Sequence, residues 1–425
     1  MRRPVPIALL AALLVLGASA SDARAKTYHF TGGRWFDGRA FEAREAVYVV
    51  DGVFTRTRPP EVDETVDLAS GFVVPPFAEA HNHNIDGAYE IETVNRNYLR
   101  DGIFYVRIAN NIGERTPAAR AWLEAPGRVD VAFSNGGLTG SGGHPIRLYE
   151  ETIRPRAYPD KPNEWLRDRA FFVVDDEEAL AERWPRILEG APDFIKVFLL
   201  YTEEYDCRRG DRAYYGRRGL DPRLLPAIVQ RAHAAGRAVA AHVETAADFR
   251  AAVQAGVDQV LHLPGSNIPP ATNVEAFRLT AADAARARER GTVVTTTTVI
   301  SRRWETSDPD RLARAREVQV SNLRLLHEHG VPLAVGSDLY SATALDEVMN
   351  LRSLDVFDNR TLLNIWCETA KAIFPQRRVG RLDEGDEASF LVLDGDPLLD
   401  FDNVRSIRYR FKRGHPIELD AAARP

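Results

Sequence analysis

Two histidines one residue apart, His81 and His83 in EAHNHNIDG, close an apolar run, FVVPPFAEA. In a β-strand, residues two apart share a face. Both imidazoles would therefore leave the same side of a buried strand, as half of a metal site requires. Three further residues end apolar runs: His242 in AVAAHVE, His262 in VLHLPG and Asp338 in LAVGSD. Imidazole nitrogen and carboxylate oxygen are the usual ligands of zinc and its neighbours. One histidine at a strand end is commonly a hydrogen-bonded structural group. Four histidines and an aspartate at corresponding strand ends are hard to explain that way.

Lys196 lies inside another apolar run, DFIKVFLL, in a chain with 50 arginines and only five lysines. Where a generic positive charge would do, this sequence uses arginine. Burial disfavours the charged amine and lowers its pKa. A neutral amine can take up carbon dioxide to give a carbamate, whose two oxygens suffice to bridge two metal ions. The competing reading is a snorkelling or ion-paired lysine, and the surrounding ligands favour the carbamate. His144, in GLTGSGGHPI, follows a strand on a glycine-rich loop. There it could polarise a carbonyl or hold an oxyanion, or be a plain turn residue. Tyr201 is a weaker candidate of the same kind. Arg147, Arg154, Arg208, Arg209, Arg302 and Arg303 crowd the longer loops. One could clamp a substrate carboxylate, and the sequence does not choose among them.

These residues need a scaffold that gathers strand ends. Strand-like apolar runs fall at 72–80, 102–108, 128–134, 193–200, 237–243, 258–263, 292–300 and 332–337, with helical patterns between most of them. LLPAIVQRAHAAG and TAADFRAAVQAG are such patterns, each stopped by glycine. Eight strand–helix units predict an α/β fold, a (β/α)8 TIM barrel over 74–376, with catalytic groups at the C-terminal strand ends. An open doubly wound sheet is the runner-up. It lacks the glycine fingerprint of a dinucleotide site after its first strand. Both chain ends, 26–73 and 377–425, read as short strands between Gly, Asp and Pro turns. They are expected to pair into one small β-sandwich domain.

The same frame sorts the other histidines. His327 and His329 repeat the H-x-H spacing in LLHEHGVPL, but at a helix end before the last strand, on the face away from the site. Two apart on a helix, they do not share a face. His233 stands similarly, and His29 and His415 fall in the small domain.

The leader MRRPVPIALLAALLVLGASASDARA has arginines, an apolar run and small-residue cleavage sites, the layout of a secretory signal over 1–25. Its apolar run is short for a membrane anchor, the competing reading. An exported protein, periplasmic or secreted, is expected, with no membrane association once the signal is removed. The net charge of −6 gives no reason to expect nucleic acid. The partner expected is a small-molecule substrate, and homo-oligomerisation is compatible with the sequence. Export would permit a disulfide, but Cys207 and Cys367 are far apart and in different units, and the sequence alone does not fix whether they pair.

H-x-H on the first strand, lysine on the fourth, histidines on the fifth and sixth and aspartate on the eighth resemble the metal-dependent amidohydrolase superfamily. The closer likeness is to its imidazolonepropionase-related branch, which includes Xaa-Pro dipeptidase-like enzymes. VVPPFAEAHNH, AHVETAADFRAAVQAGVDQVLHLPG and VGRLDEGDEASFLVLDGDPL resemble that branch. Three departures stand out: Pro75-Pro76 for the usual Pro-Gly, Glu79 near a frequent Asp, and Ser389 for a common Asp. None touches an expected ligand. Related imidazolonepropionases generally lack the lysine and use one metal, so Lys196 points to the two-metal form.

The resemblance implies a metal-dependent hydrolase with two divalent ions, expected to be Zn2+. His81, His83, the Lys196 carbamate and Asp338 would hold one, and the carbamate, His242 and His262 the other. It implies cleavage of an amide-type C–N bond (cyclic amide, N-acyl amino acid or dipeptide) by a metal-bridging hydroxide. Asp338 would move the proton and His144 would assist. Ester, lactone or phosphoester hydrolysis at the same site is the second reading. An exported binding protein without chemistry is the third.

Overall fold

The computed structural model describes residues 26–270, 272–340 and 342–419; the expected leader lies outside the described residues. Ten parallel strands form two sheets. One runs Asp130–Phe133, Ile103–Ile108, Phe77–Asn82. The other runs Phe171–Val173, Gly137–Thr139, Phe194–Phe198, Ala238–His242, Gln259–Leu261, Val293–Thr295, Leu333–Ala334. Between Asp130–Phe133 and Gly137–Thr139 the chain turns at Asn135, whose φ is 59°. On the far side, Ala80 N donates to Val335 O at 2.8 Å and Asp338 N to His81 O at 2.8 Å, joining the first strand to the last.

The register sets heights. Phe198 pairs with His242, His242 with Leu261, Leu261 with Thr295 and Thr295 with Ala334. Lys196 pairs with Ala240, one layer deeper. The helices form where the apolar spacing and end signals agree. Thr245 and Asp248 make a reciprocal capping box at the start of Ala246–Ala255, and Gly256, at φ 85°, ends it. The helix Asn359–Ile373 covers the first strand: Trp366 stacks on Phe77 with centroids 3.7 Å apart and donates Nε1–H to Ala78 O.

The first expected strand, 72–80, is two. Phe72–Val74 belongs to a sheet with the chain ends, and Phe77–Asn82 to the parallel set. Pro75 and Pro76 have no N–H to donate, so no ladder continues through them. The run expected at 292–300 also stops early, at Thr295. Thr297 turns at φ 50° into a short 3-10 helix, Thr298–Trp304. Gly137–Thr139 and Phe171–Val173 are short strands outside the eight expected.

The chain ends form a four-stranded and a six-stranded sheet. The six-stranded one mixes Arg34–Phe36, Phe41–Ala43 and Phe72–Val74 with Phe390–Leu393, Ile407–Lys412 and His415–Pro416. Phe30, Trp35, Val49, Phe54, Phe390 and Phe411, drawn from both sheets, pack into one apolar cluster. Among the described residues no helix is long and apolar enough to cross a membrane. Cys207 is exposed, Cys367 is buried, and both are free thiols.

Candidate active site

Seven side chains singled out in the sequence, His81, His83, His144, Lys196, His242, His262 and Asp338, line one cavity of about 840 Å³ at the C-terminal strand ends. Their rings and carboxylate are close. His81 and His262 have centroids 4.5 Å apart, His242 and His262 4.3 Å, and His144 and His242 5.1 Å. Asp338 Oδ1 lies 3.1 Å from His83 Nε2 and 3.5 Å from His81 Nε2, and its Oδ2 3.9 Å from His262 Nε2. His81, His262 and Asp338 offer ligand atoms all within 4.8 Å of one another.

The backbone is bent to achieve this. His262 and Asp338 have φ of 74° and 51°. Non-glycine residues visit that left-handed region rarely, at a cost of order 1–3 kcal/mol each, and do so preferentially at functional sites. Glycines leave room beside the ligands. A Cβ on Gly336 would stand 2.7 Å from the Cβ of His81, and one on Gly137 2.9 Å from the Cγ of Lys196.

A second set of groups orients the first. Thr297 Oγ1 bonds His262 Nδ1 at 2.8 Å, and Asn110 O bonds His83 Nδ1 at 3.1 Å. Glu79, fully buried, accepts from Ser337 N, Ser337 Oγ and His81 N, tying the first strand to the turn that carries Asp338. Burial pushes the Glu79 carboxyl up to about 8, against the pull of those hydrogen bonds. Glu347 likewise accepts from Thr298 N, Thr298 Oγ1 and Val299 N, fixing the turn beyond Thr297.

The charge states suit coordination. Burial lowers His262 to about 3 and His144 to about 4, and holds His81 and His242 well below the usual histidine value. These rings are neutral, with lone pairs available. Burial raises Asp338, but the hydrogen bond and charge of His83, with His262 and Lys196, more than offset it, so the carboxylate is held low. Lys196 is 1% exposed, and burial lowers its amine to about 7. Among the described residues neither Lys196 Nζ nor His81 Nδ1 has a hydrogen-bond partner. Buried polar atoms are normally satisfied. Two orphans beside a cluster of neutral imidazoles and a carboxylate are what an electrophilic occupant would complete, so this donor set fits divalent metal.

Other expectations sort differently. His327 is exposed, and His329 bonds Leu325 O at the end of the helix Pro309–Glu328. His233 is exposed and pairs with Asp258. Tyr201 does not line the cavity; its ring lies under the Arg208 guanidinium. Arg154 and Arg208 also lie outside the lining, each bonded within its own loop. Glu244 was missed. It lines the cavity with its side chain only 11% exposed, 3.3 Å from His242 Nε2, and burial raises it to about 8. Its signal was its position two residues after His242, where a strand end continues into the same mouth.

Comparison with known proteins agrees with this geometry. Residues 73–416 match the model of the amidohydrolase family. No curated protein sequence matches. Among solved structures, an ochratoxinase from A. niger is similar over 94% of this chain and 97% of its own, with TM-score 0.72 and 18% identity. A Xaa-Pro dipeptidase with methionine in its active site is similar over 93% and 100%, with TM-score 0.70 and 16% identity. Phenylurea hydrolase B is similar over 94% and 98%, with TM-score 0.68 and 16% identity. At these identities the likeness is one of fold, a TIM-barrel-type α/β fold. The family match spans most of the chain, and the chain belongs to the amidohydrolase family, as a hydrolytic enzyme of that family.

Proposed function

We propose that this amidohydrolase cleaves an amide-type C–N bond in a small exported-compartment substrate, with Lys196 carboxylated and two divalent metal ions, zinc for preference, in the cavity. The two parallel sheets are read as one closed (β/α)8 barrel over 74–376. The chain ends 26–73 and 377–425 are read as its β-sandwich companion, and residues 1–25 as an export signal. The observation that carries the proposal is Lys196: buried, without a hydrogen-bond partner among the described residues, and lining the same cavity as the histidine cluster.

In this reading the Lys196 amine loses a proton as its nitrogen bonds to the carbon of CO2. The resulting anion would join His81, His83 and Asp338 in holding one ion and His242 and His262 in holding the other. When bound, a divalent metal pair supplies Lewis-acid activation of water and of the scissile carbonyl. Asp338, held as a carboxylate, takes the proton of the attacking water and returns it to the leaving nitrogen. A neutral His144 donates its one N–H to the developing oxyanion. Glu79, Thr297 and Asn110 keep the imidazoles and Asp338 aimed, so little reorganisation remains at the moment of reaction.

The test is elemental analysis of protein purified without chelator, for wild type and Lys196→Ala, with turnover measured on N-acyl amino acids and dipeptides. Near two metals per chain, falling clearly in the variant, together with amide hydrolysis, supports the proposal. One metal, unchanged in the variant, removes Lys196 from the site. No metal ends the reading.

A further inference from the structure

Of six loop arginines, the structure singles out one. Arg154, Arg208 and Arg209 do not line the cavity. Arg147 and Arg302 do, but each is paired with an acidic residue close by in sequence: Arg147 Nε with Glu151 at 2.8 Å, and Arg302 Nη2 with Glu305 at 3.1 Å. Arg303 also lines the cavity, and its side chain is exposed to it. Its guanidinium lies over the Trp304 ring at 4.9 Å. It donates to a neutral group, Asn267 Oδ1, at 2.6 Å. Burial lowers its pKa against the attraction of Glu244 and Asp338, and among the described residues it makes no ion pair.

The placement is built rather than incidental. Arg303 stands on the 3-10 helix Thr298–Trp304, whose start is fixed by Glu347 through Thr298 and Val299. Asn267 in turn donates Nδ2 to Glu244 Oε1 at 3.2 Å, and Glu244 touches His242. A short polar chain therefore links the Arg303 guanidinium to the ligand cluster. Apolar side chains, Ile153, Phe198, Val299, Ile300 and Leu339, make up other parts of the wall.

From this we infer that Arg303 is the specificity-determining residue for a substrate carboxylate, so that the substrates are acids: N-acyl amino acids or dipeptides with a free C-terminal carboxylate and an apolar side chain. Guanidinium and carboxylate match in planar, two-point geometry, and a cation without a direct ion pair among the described residues has that capacity to give. Asn267 is a positioning residue that holds the fork from one side. The inference rests on the C–N hydrolase reading for the identity of the scissile bond, but not for the recognition step.

The test separates the two. N-acetyl-leucine, N-acetyl-phenylalanine and N-acetyl-proline, and the carboxamide of each, are titrated calorimetrically into metal-replete wild type, Arg303→Met, Arg303→Lys and Arg302→Met. Turnover of each is followed in parallel. Wild type should bind at least one acid tighter than its amide by roughly 10- to 100-fold, the worth of a charge-assisted hydrogen-bonded pair. Arg303→Met should bring that ratio close to one. Arg303→Lys should restore part of it, and Arg302→Met should leave it intact. A ratio near one in wild type, undetectable binding of every acid, or a ratio unchanged in Arg303→Met overturns the inference whatever the turnover. Acid-selective binding lost in Arg303→Met, without hydrolysis of any amide, leaves the recognition role standing and removes the C–N hydrolase reading instead.

Discussion

Two of the five lysines are buried, and they lie at opposite ends of the parallel strands. Lys412 is 7% exposed and fully engaged: its Nζ reaches Asp130 Oδ1 at 2.6 Å and also donates to Arg128 O. Asp130 in turn meets Arg377 at 2.7 Å and Arg413 at 3.1 Å. Asp130 opens the strand Asp130–Phe133, while Lys412 closes Ile407–Lys412 of the terminal sheet. The network therefore pins the small sheets to the end of the strands away from the cavity. Lys196 is more deeply buried, and among the described residues its Nζ has no hydrogen bond or ion pair, only the Phe198 ring at 4.9 Å. Desolvating an ammonium costs several kcal/mol even after relaxation. Lys412 offsets part of that cost with its ion pair, burial still holding its amine below the usual lysine value; among the described residues Lys196 has no ion pair to do so. The same residue type thus joins an ion-pair network at one end and is the proposed site of modification at the other.

The sharpest way to break this contrast is to remove each amine. Lys196→Ala should lower turnover on the order of 10,000-fold, since in the proposed site both metal ions would depend on it, with unchanged or improved thermal stability of the metal-free protein. Circular dichroism melts in chelator, beside steady-state rates, check both halves. A variant that melts much earlier would make Lys196 a structural lysine like Lys412.

The carboxylates beside the two lysines come next. Asp338→Asn should cost about 1,000-fold in kcat per metal-loaded molecule, the middle of the range for proton transfer by a placed side chain, with metal content measured beside it because Asp338 is also a proposed ligand. Asp130→Asn should leave kcat per folded molecule unchanged. Equal losses in the two variants would dissolve the distinction between the ends.

How legible this was depended on context. Lys196 could be found because a lysine inside an apolar strand is costly, and because this chain otherwise spends arginine. Lys412 could not: in RYRFKRG it looks like one more surface cation, and only the docking of the terminal sheet buries it. The strand ends carrying His81, His83, His242, His262 and Asp338 followed from period and position, since the parallel arrangement brings matching ends together. The break at Pro75-Pro76 was visible in principle, as two missing donors, yet the apolar run masked it. Glu244, Glu347 and the choice of Arg303 depend on which loops meet over the mouth, a non-local matter that no local pattern encodes.

At the structural end, Lys412→Met should destabilise the protein by about 2 kcal/mol. That is below the roughly 3–5 kcal/mol of an outright orphaned charge, because Arg377 and Arg413 still face Asp130. Urea titration at neutral pH measures it, with kcat per folded molecule retained.

The smallest effect is in the pH dependence, and it tests whether charge is the reason. Burial raises the Asp130 carboxyl, but Lys412, then Arg377 and Arg413, outweigh it and hold it below its ordinary 3.8. A folded-state value below the unfolded one means that the unfolded chain binds the proton first as pH falls. The contribution is therefore whole above the unfolded value and is lost as pH drops through the folded one. Removing Lys412 lets the folded value climb back towards 3.8, so less remains to be lost in acid. The stability gap between wild type and Lys412→Met should accordingly narrow by about 1 kcal/mol between roughly pH 5 and pH 2, within the 1.4 kcal/mol per unit that one proton allows. Urea midpoints across that range measure the gap. A gap that stays constant into acid would mean that Lys412 stabilises through its packed alkyl chain, and the contrast with Lys196 would then be one of shape rather than of charge.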